Sequence, residues 1–263
     1  MSNLFPFLAG IYIYPIKSLD ALSVTQAKIL ASGALEGDRK FALFDEQGNF
    51  VNGKRYGKIN QIRSSLDLSS GCLSLAIQGA EAPNIFDIDK DRINLESWLS
   101  NYFGFSVNIA ENSILGFPDD TDSPGPTIIS TATLELIASW FPGLTVESIR
   151  CRFRANLEIA GVPPFWEDRL FGEEGKLVQF KIGEVVLAGV NPCQRCIVPT
   201  RDAKTGEAWP NFQKIFIEKR QETLPDGIVR SRFNHFYRLS VNTRVFASSE
   251  VMVLHLGDEV KLL

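Results

Sequence analysis

The sequence predicts a β-rich α+β fold, with an N-terminal β-barrel-like domain, a second barrel domain and a few helices. Two observations support this class. Short β-rich runs bounded by Gly and Pro outnumber the helical segments, and the strands do not alternate regularly with helices. Regular alternation would favour a doubly wound parallel sheet, so its lack favours a barrel. The 263 residues, 44% of them hydrophobic, can also bury a core without disulfides or metals.

A break in the sequence divides the chain into two predicted domains. Residues 117–126 are dense in Pro, Gly and Asp, which interrupt helices and strands. The predicted first domain therefore comprises residues 1–118 and the second comprises residues 119–263. Both lengths are ordinary for a domain.

The first domain is predicted to be mostly strands with one helix. Its predicted strands are Leu8–Tyr14, Leu73–Ile77 and the two arms of a hairpin over residues 41–51. An apolar stripe that begins at Leu95 predicts the helix. Asn94 is the expected N-cap of this helix, and Gly104 is expected just beyond its C-terminus.

The second domain is predicted to contain strands and two helices. Its predicted strands are Thr127–Ile129, Ser148–Ile159, Leu177–Ile182, Glu184–Val190 and a closing hairpin of Val251–Leu256 with Glu259–Leu263. Helical spacing over Leu134–Phe141 predicts one helix, which Pro142 ends. Ser130 and Thr131 are its candidate caps. The other helix is predicted over Asn211–Gln221.

Composition and charge argue against several classes of protein. The formal net charge of −4 disfavours a dedicated nucleic-acid binder, which needs a basic surplus to neutralise phosphates. No apolar run approaches the roughly 20 residues needed to span a bilayer, so no membrane span is predicted. The N-terminus lacks the basic region of a signal peptide. The expected location is therefore the cytoplasm, where thiols stay reduced.

The C-x-x-C sequence Cys193-Gln194-Arg195-Cys196 is the first candidate for chemistry. The thiolate is the reactive form of cysteine, and the neighbouring Arg195 favours it at Cys196. A zinc site needs about four ligands, and the remaining cysteines and histidines are not paired at finger spacing. A thioredoxin-like dithiol needs a helix that Pro199 would break. Two small buried hydrophobic side chains are the third interpretation.

Three arginines recur at alternate positions within the predicted strand Ser148–Ile159. Arg150, Arg152 and Arg154 would share one face of this strand with Asn156. Guanidinium groups in such a row suit bidentate binding of phosphate or carboxylate. A solvated edge strand, whose charges discourage aggregation, is the equal alternative.

Further candidates lie at element ends. Ser130 and Thr131 precede a predicted helix, whose free N–H groups could bind an anion or could simply be capped. Lys17 with Ser18, and Arg39, follow apolar strands. On their own, such cations are usually just solvated.

Taken together, the motifs occur in the order and spacing of the MOSC family. The chain resembles the type in which an N-terminal MOSC β-barrel domain precedes a MOSC β-barrel domain, as in the mitochondrial amidoxime-reducing component and its bacterial relatives. The resemblance covers the chain from about Leu8 to Leu263. The matching motifs are Tyr14-Pro15-Ile16-Lys17-Ser18, Gly37-Asp38-Arg39, Phe153-Arg154-Ala155-Asn156 and Cys193-Gln194-Arg195-Cys196 with Thr200, Asp202, Thr205 and Gly206.

The resemblance implies a molybdenum cofactor, a pyranopterin whose dithiolene holds an oxo-molybdenum. In the family the second cysteine of C-x-R-C ligates the metal, and here that residue is Cys196; its soft thiolate suits the role. Cys193 then needs no role at the metal. The cofactor contacts that the resemblance implies are Lys17, Ser18, Arg39, Ser130, Thr131, Arg154, Asn156, Gln194, Arg195 and Cys196.

The chain also departs from the family pattern. Ala155 replaces the usual Pro of Arg-Pro-Asn, and Gln194 replaces the usual Ser of Cys-Ser-Arg-Cys. Pro199 and Arg201 replace small or hydroxyl residues after Cys196. These positions are expected near the substrate side of the site.

The activity implied by the resemblance is molybdenum-dependent reduction of small N-hydroxylated compounds, from N–OH to N–H. A separate redox protein is expected to donate the electrons, since the sequence shows no iron–sulfur domain after its MOSC motifs. Water, Asp168 and His235 are candidate proton donors. One alternative is a non-catalytic module that carries the cofactor or a sulfur-bearing form of it, and another is a plain thiol or zinc protein. Family descriptions can also mention pyridoxal phosphate.

Overall fold

The computed structural model describes residues 5–246 and 251–263, and its β-rich composition confirms the predicted α+β class. The helices of the described chain are α1 (Arg92–Phe103), α2 (Thr131–Ser139), α3 (Val146–Phe153) and α4 (Phe212–Glu222). Its strands are β1 (Phe7–Ile13), β2 (Leu22–Val24), β3 (Gln26–Ile29), β4 (Phe41–Asp45), β5 (Ile62–Leu66), β6 (Cys72–Ile77), β7 (Asn84–Asp87), β8 (Val107–Glu111), β9 (Ile128–Ser130), β10 (Leu157–Ala160), β11 (Val178–Ile182), β12 (Val185–Gln194), β13 (Arg238–Val245), β14 (Met252–His255) and β15 (Val260–Leu262).

One eight-stranded sheet joins the start of the chain to its second half. Its strand order is β15-β11-β12-β13-β9-β10-β1-β2. Strand β1 pairs antiparallel with β10, with Leu8 opposite Ile159 and Ile11 opposite Leu157. Strand β10 in turn lies parallel to β9. The loop that follows β1 is therefore held next to the residues that precede β10.

Three apolar cores stabilise these elements. The first fills the space around the large sheet and includes Leu8 and Ile128, both fully buried. The second lies within residues 16–109 and includes Leu95, Leu99 and Phe103 of α1. The third packs α2, α3 and α4 together, and its Phe141 and Phe212 rings stack with centroids 4.3 Å apart.

The predicted strand Ser148–Ile159 is wrong over its first part, which forms helix α3. Thr145 caps this helix, because its side chain accepts a hydrogen bond from the Ser148 backbone N–H at 3.1 Å. Apolar residues four apart, Ile149 and Phe153, then bury one helical face. Arg154 ends the helix in a left-handed conformation, and only β10 is extended. The three arginines therefore do not share one strand face.

The predicted C-terminal hairpin is also wrong. Strand β14 pairs with β3, and β15 pairs with β11, so the two strands meet different partners. The predicted hairpin over residues 41–51 is present, because Phe44 pairs antiparallel with Phe50 around the turn at Gly48, although the longer ladder of β4 is with β8. Asn94 lies inside α1, whose N-cap is Asp91. Gly104 does follow α1, with φ of 79°.

Several other elements match their predictions. The runs predicted as strands at Leu8–Tyr14, Leu73–Ile77 and Leu177–Ile182 correspond to β1, β6 and β11. Ser130 caps α2, since its Oγ accepts a hydrogen bond from the Thr133 backbone N–H at 3.1 Å. Helix α4 lies where a helix was predicted over Asn211–Gln221. Among the residues described, no helix is long and apolar enough to span a membrane.

A buried ion pair connects α4 to the short 3₁₀ helix Trp166–Leu170. The Arg220 guanidinium donates to Asp168 at 2.5 Å, and the two side chains are 0% and 4% exposed. The guanidinium also lies 3.9 Å from the centroid of the Phe165 ring. A buried guanidinium needs such partners, because an isolated buried charge is very costly.

Arg220→Met is predicted to lower the free energy of unfolding by about 3–5 kcal/mol, because it leaves the Asp168 carboxylate buried and unpaired. The matched control is Lys219→Met, which removes an exposed pair with Glu222 and should cost less than about 1 kcal/mol. Urea titration measures both values. Equal losses in the two variants would contradict the prediction, whereas partial recovery in Arg220→Met/Asp168→Leu would support it.

Glu167 is predicted to make the protein less stable as the pH rises. Burial, and then the neighbouring Asp168, raise the pKa of this 1% exposed carboxyl to about 7, whereas an unfolded Glu titrates at about 4.3. The native state therefore holds the proton more tightly between these values, so stability falls through that window as pH rises. In Glu167→Gln the slope should be less negative by up to ~1.4 kcal/mol per pH unit.

Unfolding by urea at several pH values between about 5 and 8 measures this slope. Glu222→Gln, which changes an exposed carboxylate, is the matched control. A Glu167→Gln profile parallel to that of the wild type would show that Glu167 does not bind the extra proton.

Candidate functional site

A large cleft of about 660 Å³ opens between residues from the two halves of the chain. It is lined by Lys17, Ser18 and Arg39 from the first half and by residues 152–154, Asn156 and residues 193–196 from the second. The pairing of β1 with β10 brings these segments together. Of the predicted site residues, those that line the cleft are Lys17, Ser18, Arg39, Arg154, Asn156, Gln194, Arg195 and Cys196.

Lys17 is a buried cation at the edge of the cleft. Its Nζ donates to the Phe117 carbonyl and to Asp119, both at 2.8 Å, and lies 5.2 Å from the centroid of the Phe50 ring. Burial lowers the pKa of Lys17, and Asp119 partly offsets this effect. Because these contacts fix the ammonium group, Lys17 contributes a positioned charge rather than a mobile one.

Tyr14 supports two arginines of the cleft with one aromatic ring. The Arg154 guanidinium carbon lies 4.1 Å from the ring centroid, and that of Arg39 lies 5.2 Å from it. The Tyr14 hydroxyl donates to the Ala155 carbonyl at 3.2 Å, and burial raises the pKa of this phenol. Arg39 is paired with Asp38. A ring face stabilises cations in this way through its quadrupole.

Three cleft residues hold a backbone conformation that is costly for residues with side chains. Ser18, Arg39 and Arg154 have φ values of 74°, 48° and 55°. The left-handed conformation costs a residue with a Cβ about 1–2 kcal/mol. Strained residues of this kind concentrate at functional sites, where the surrounding structure holds them. The strain therefore supports the assignment of this cleft as the functional site.

Asn156 joins the two halves beside the cleft. Its Nδ2 donates to the Tyr12 carbonyl at 3.0 Å, and its Oδ1 accepts from the backbone N–H of Thr127 at 3.2 Å. Only 2% of the residue is exposed. Its side chain thus fixes the geometry of the cleft wall, and it has little surface with which to touch a ligand.

The two cysteines of the C-x-x-C sequence have different surroundings. Cys193 is buried, its Sγ donates to Asn242 Oδ1 at 2.8 Å, and burial raises the pKa of its thiol to about 11. Cys196 is partly exposed and lines the cleft. Between them, Arg195 donates to the Phe153 carbonyl at 2.6 Å. Cys196 is therefore the thiol that a bound ligand can reach.

The segment after Cys196 docks against the first half. Asp202 accepts hydrogen bonds from the backbone of Lys204 and Thr205 at 2.9 and 3.0 Å and from Arg152 at 3.3 Å. Gly206 has φ of 78°, and a Cβ there would lie 2.4 Å from the Gly57 carbonyl oxygen. The motif residues beyond Cys196 thus shape a loop that positions this cysteine.

Not every predicted site residue lies in the cleft. Ser130 is fully buried and its hydroxyl caps α2, while Thr131 lines a separate shallow depression. Asp168 is buried in its ion pair with Arg220, and His235 does not line the cleft either. Sequence reasoning missed the role of Asp119 in the cleft lining and the support that the Tyr14 ring gives to Arg39 and Arg154, because the partners lie far away in sequence.

The residues of the cleft suit a polar anionic ligand with a soft metal. The lining contains three acidic side chains, Asp38, Asp119 and Asp120, and seven cations: Lys17, Arg39, Lys54, Arg152, Arg154, Arg195 and Arg238. Within the described residues, the buried Ser123 Oγ and Arg195 Nε of this lining have no hydrogen-bond partner. Arginine forks bind phosphates, and a thiolate binds soft metals. The donor set therefore fits a phosphorylated pterin that brings its own metal.

The alternative of a zinc site finds no support in the geometry. In residues 5–246 and 251–263, no group of three or more His, Cys, Asp and Glu side chains is placed to hold a metal ion. A structural zinc site needs about four such ligands.

Comparison with known proteins gives relatives over most of the chain. Molybdenum cofactor sulfurase 2 of Culex quinquefasciatus is 23% identical over 244 residues, covering 76% of this chain and 31% of that protein. The molybdenum cofactor sulfurases of Bos taurus and Homo sapiens are 22% and 23% identical, covering 84% and 79% of this chain. The chain spans only 30% and 28% of their length.

A solved structure, described as the crystal structure of an hypothetical protein, aligns over 99% of this chain and 69% of its own, with a TM-score of 0.41 and 11% identity.

The family model for the MOSC N-terminal beta barrel domain matches residues 6–104, and the model for the MOSC domain matches residues 127–261. The chain therefore belongs to the MOSC family, with an N-terminal MOSC β-barrel domain followed by a MOSC domain.

Proposed function

We propose that the cleft binds a molybdenum cofactor and that the Cys196 thiolate is the protein ligand of the metal. The observation that carries the proposal is the position of Cys196, a partly exposed thiol in the same cleft as the supported cations Lys17, Arg39 and Arg154. The names of the relatives, which are molybdenum cofactor sulfurases, support the same cofactor. None of these names mentions pyridoxal phosphate.

The cations of the cleft would hold and orient the pterin and its phosphate. Arg154 stands against the Tyr14 ring and donates to the Leu19 carbonyl at 2.7 Å, so its guanidinium has a fixed direction. Arg195 is held by the Phe153 carbonyl on the same wall. Fixed guanidiniums bind anions with less loss of entropy than mobile lysines do. Gln194, exposed at the rim, adds an amide for the polar pterin edge.

The proposed reaction is the reduction of small N-hydroxylated compounds, from N–OH to N–H and water, with two electrons and two protons. When bound, the cofactor supplies the two-electron redox and oxygen-transfer chemistry. The protein would fix the substrate beside Cys196. Although burial alone would raise the pKa of Asp119, the neighbouring Lys17 lowers it well below its usual range. That carboxylate is therefore a poor acid, and we assign proton delivery to water.

The proposal also includes the two domains, the electron donor and the location of the protein. We keep residues 1–118 and 119–263 as the two domains, which contribute Lys17 and Cys196 respectively to one cleft. A separate redox protein would supply the electrons, and a cytoplasmic location suits a reduced thiol ligand. The net charge of −4 would favour a basic donor.

A second candidate function is a carrier that binds the cofactor, or a sulfur-bearing form of it, and passes it to other enzymes. The names of the relatives favour this candidate, because sulfurases act on the cofactor itself. The two functions need the same cleft but differ in what leaves it.

Cys196→Ser is predicted to reduce bound molybdenum to less than about a tenth of the wild-type content, since even supporting residues of metal sites typically change affinity 10–100-fold. Elemental analysis and fluorescence of the released oxidised pterin measure metal and pterin separately. Cys72→Ser, which changes an exposed cysteine, is the matched control and should retain the metal. Full molybdenum content in Cys196→Ser would remove the thiolate from the proposal.

The choice between enzyme and carrier has its own test. Cofactor-loaded protein is predicted to convert benzamidoxime to benzamidine with reduced methyl viologen as electron donor, and Cys196→Ser is predicted to lower this rate at least about tenfold. Transfer of the cofactor to an apo-enzyme is measured in parallel. Efficient transfer together with no amidine formation would replace the reductase with the carrier.

A further inference from the structure

A second pocket of about 340 Å³ adjoins the cleft. Arg152 and Arg154 line both spaces, so they form the wall between them. The pocket extends to Tyr12, Arg63 and Cys151, none of which lines the cleft. The pocket shares Ser18 and Arg154 with the cleft, but neither Lys17 nor Cys196 lines it.

The charge of the pocket is positive. Arg63, Arg150 and Arg152 are paired with carboxylates, whereas Arg201 and Lys204 form no ion pair within the described residues. Six cationic residues line it, including Arg63, Arg201 and Lys204, against only two acidic residues, Asp20 and Glu147. The excess of positive charge suits a dianion better than a single carboxylate, because each added charge strengthens attraction in a partly desolvated site. Phosphate monoesters carry nearly two negative charges at neutral pH.

Buried donors in the pocket wall point to the same kind of ligand. The Arg152 side chain is 1% exposed, and its Nε has no hydrogen-bond partner among the described residues. The buried Nε atoms of Arg63 and Arg201 also have no partner there. A buried donor without a partner costs about 1–3 kcal/mol. Three guanidiniums with this deficit line one pocket, and phosphate oxygens would satisfy them.

The rest of the lining suits a small apolar body. The rings of Tyr12 and Tyr14 line the pocket together with Ala21, Val198 and Ala203. Small-molecule sites combine such apolar walls with a few polar groups, and their volumes begin at about 300 Å³. The occupant is therefore a compact molecule with one anionic end.

We propose that this pocket binds a small phosphate monoester, with its phosphate held by Arg63, Arg152, Arg201 and Lys204 and its apolar body against Tyr12. The site goes beyond the proposed cofactor function and does not depend on it. Arg201 links this site to the departures from the family pattern, because it stands where small or hydroxyl residues are usual.

Phenyl phosphate is the probe, and its binding to the full chain is measured by isothermal titration calorimetry. Arg201→Gln/Lys204→Gln should raise its dissociation constant at least about tenfold, because it removes two of the charges. Lys54→Gln, which changes a cation of the cleft alone, should leave it within about twofold. If the double variant does not fold, the single variant Lys204→Gln, which changes an exposed side chain, is measured in its place and should also raise the dissociation constant.

Alkylation by N-ethylmaleimide, read by mass spectrometry at each cysteine, locates the probe. Cys151 lines the pocket, and burial, with a smaller effect of Glu147, raises the pKa of its thiol to about 11, so its alkylation is slow but measurable. Phenyl phosphate should slow alkylation of Cys151 and not of the distant, exposed Cys72. Molybdenum content is not involved, so this result is independent of the cofactor test.

Three results would overturn the site. They are no binding of phenyl phosphate by the wild type, protection of Cys196 without protection of Cys151, and an unchanged dissociation constant in Arg201→Gln/Lys204→Gln. Tighter binding of benzoate than of phenyl phosphate would overturn the assignment to a phosphate. Tighter binding of phenyl phosphate than of inorganic phosphate supports the apolar part of the site.

Discussion

The pairing of β1 with β10 is the constraint on which the site depends. It brings a strand from the start of the chain against one from its second half, and Asn156 strengthens the joint through hydrogen bonds to Tyr12 and Thr127. Tyr14 follows directly and supports Arg39 and Arg154 from one ring. If this register slipped by one residue, inward and outward side chains would exchange faces. The cations of the cleft thus owe their proximity to a strand pairing and not to neighbouring positions in sequence.

The sequence predicted the class of the fold and the elements whose signals are local. Strands with continuous apolar runs, such as β1 and β11, and the capped helix α2 are of this kind. Helix α3 was missed because alternating Arg and apolar residues over 150–159 imitate a strand, whereas the cap at Thr145 and the burial of Ile149 select a helix. The C-terminal strands were assigned to each other because a Gly-Asp turn joins them, but their partners are set by tertiary packing.

The site was predictable to the extent that motifs carry it. Most residues that the family resemblance implied line one cleft, including Lys17, Arg39, Arg154 and Cys196. Ser130 does not line the cleft. A residue at a helix start can bind an anion or cap the helix, and the buried Ser130 hydroxyl caps α2. The support of Lys17 by Asp119 joins residues 102 positions apart, and no local pattern reports such a contact. Motifs identify which side chains matter, whereas the fold determines which of them remain accessible.

The left-handed residues of the cleft have a consequence for the evolution and engineering of the protein. Glycine would adopt the backbone of Ser18, Arg39 and Arg154 at little steric cost, so selection for stability alone would favour it there. A side chain is retained at each position despite a cost of about 1–2 kcal/mol. Engineering that raises thermal stability by replacing these strained residues with glycine would remove hydroxyl and guanidinium groups from the cleft. The substitutions that would most easily stabilise this protein would therefore remove the groups that are most useful for binding a ligand.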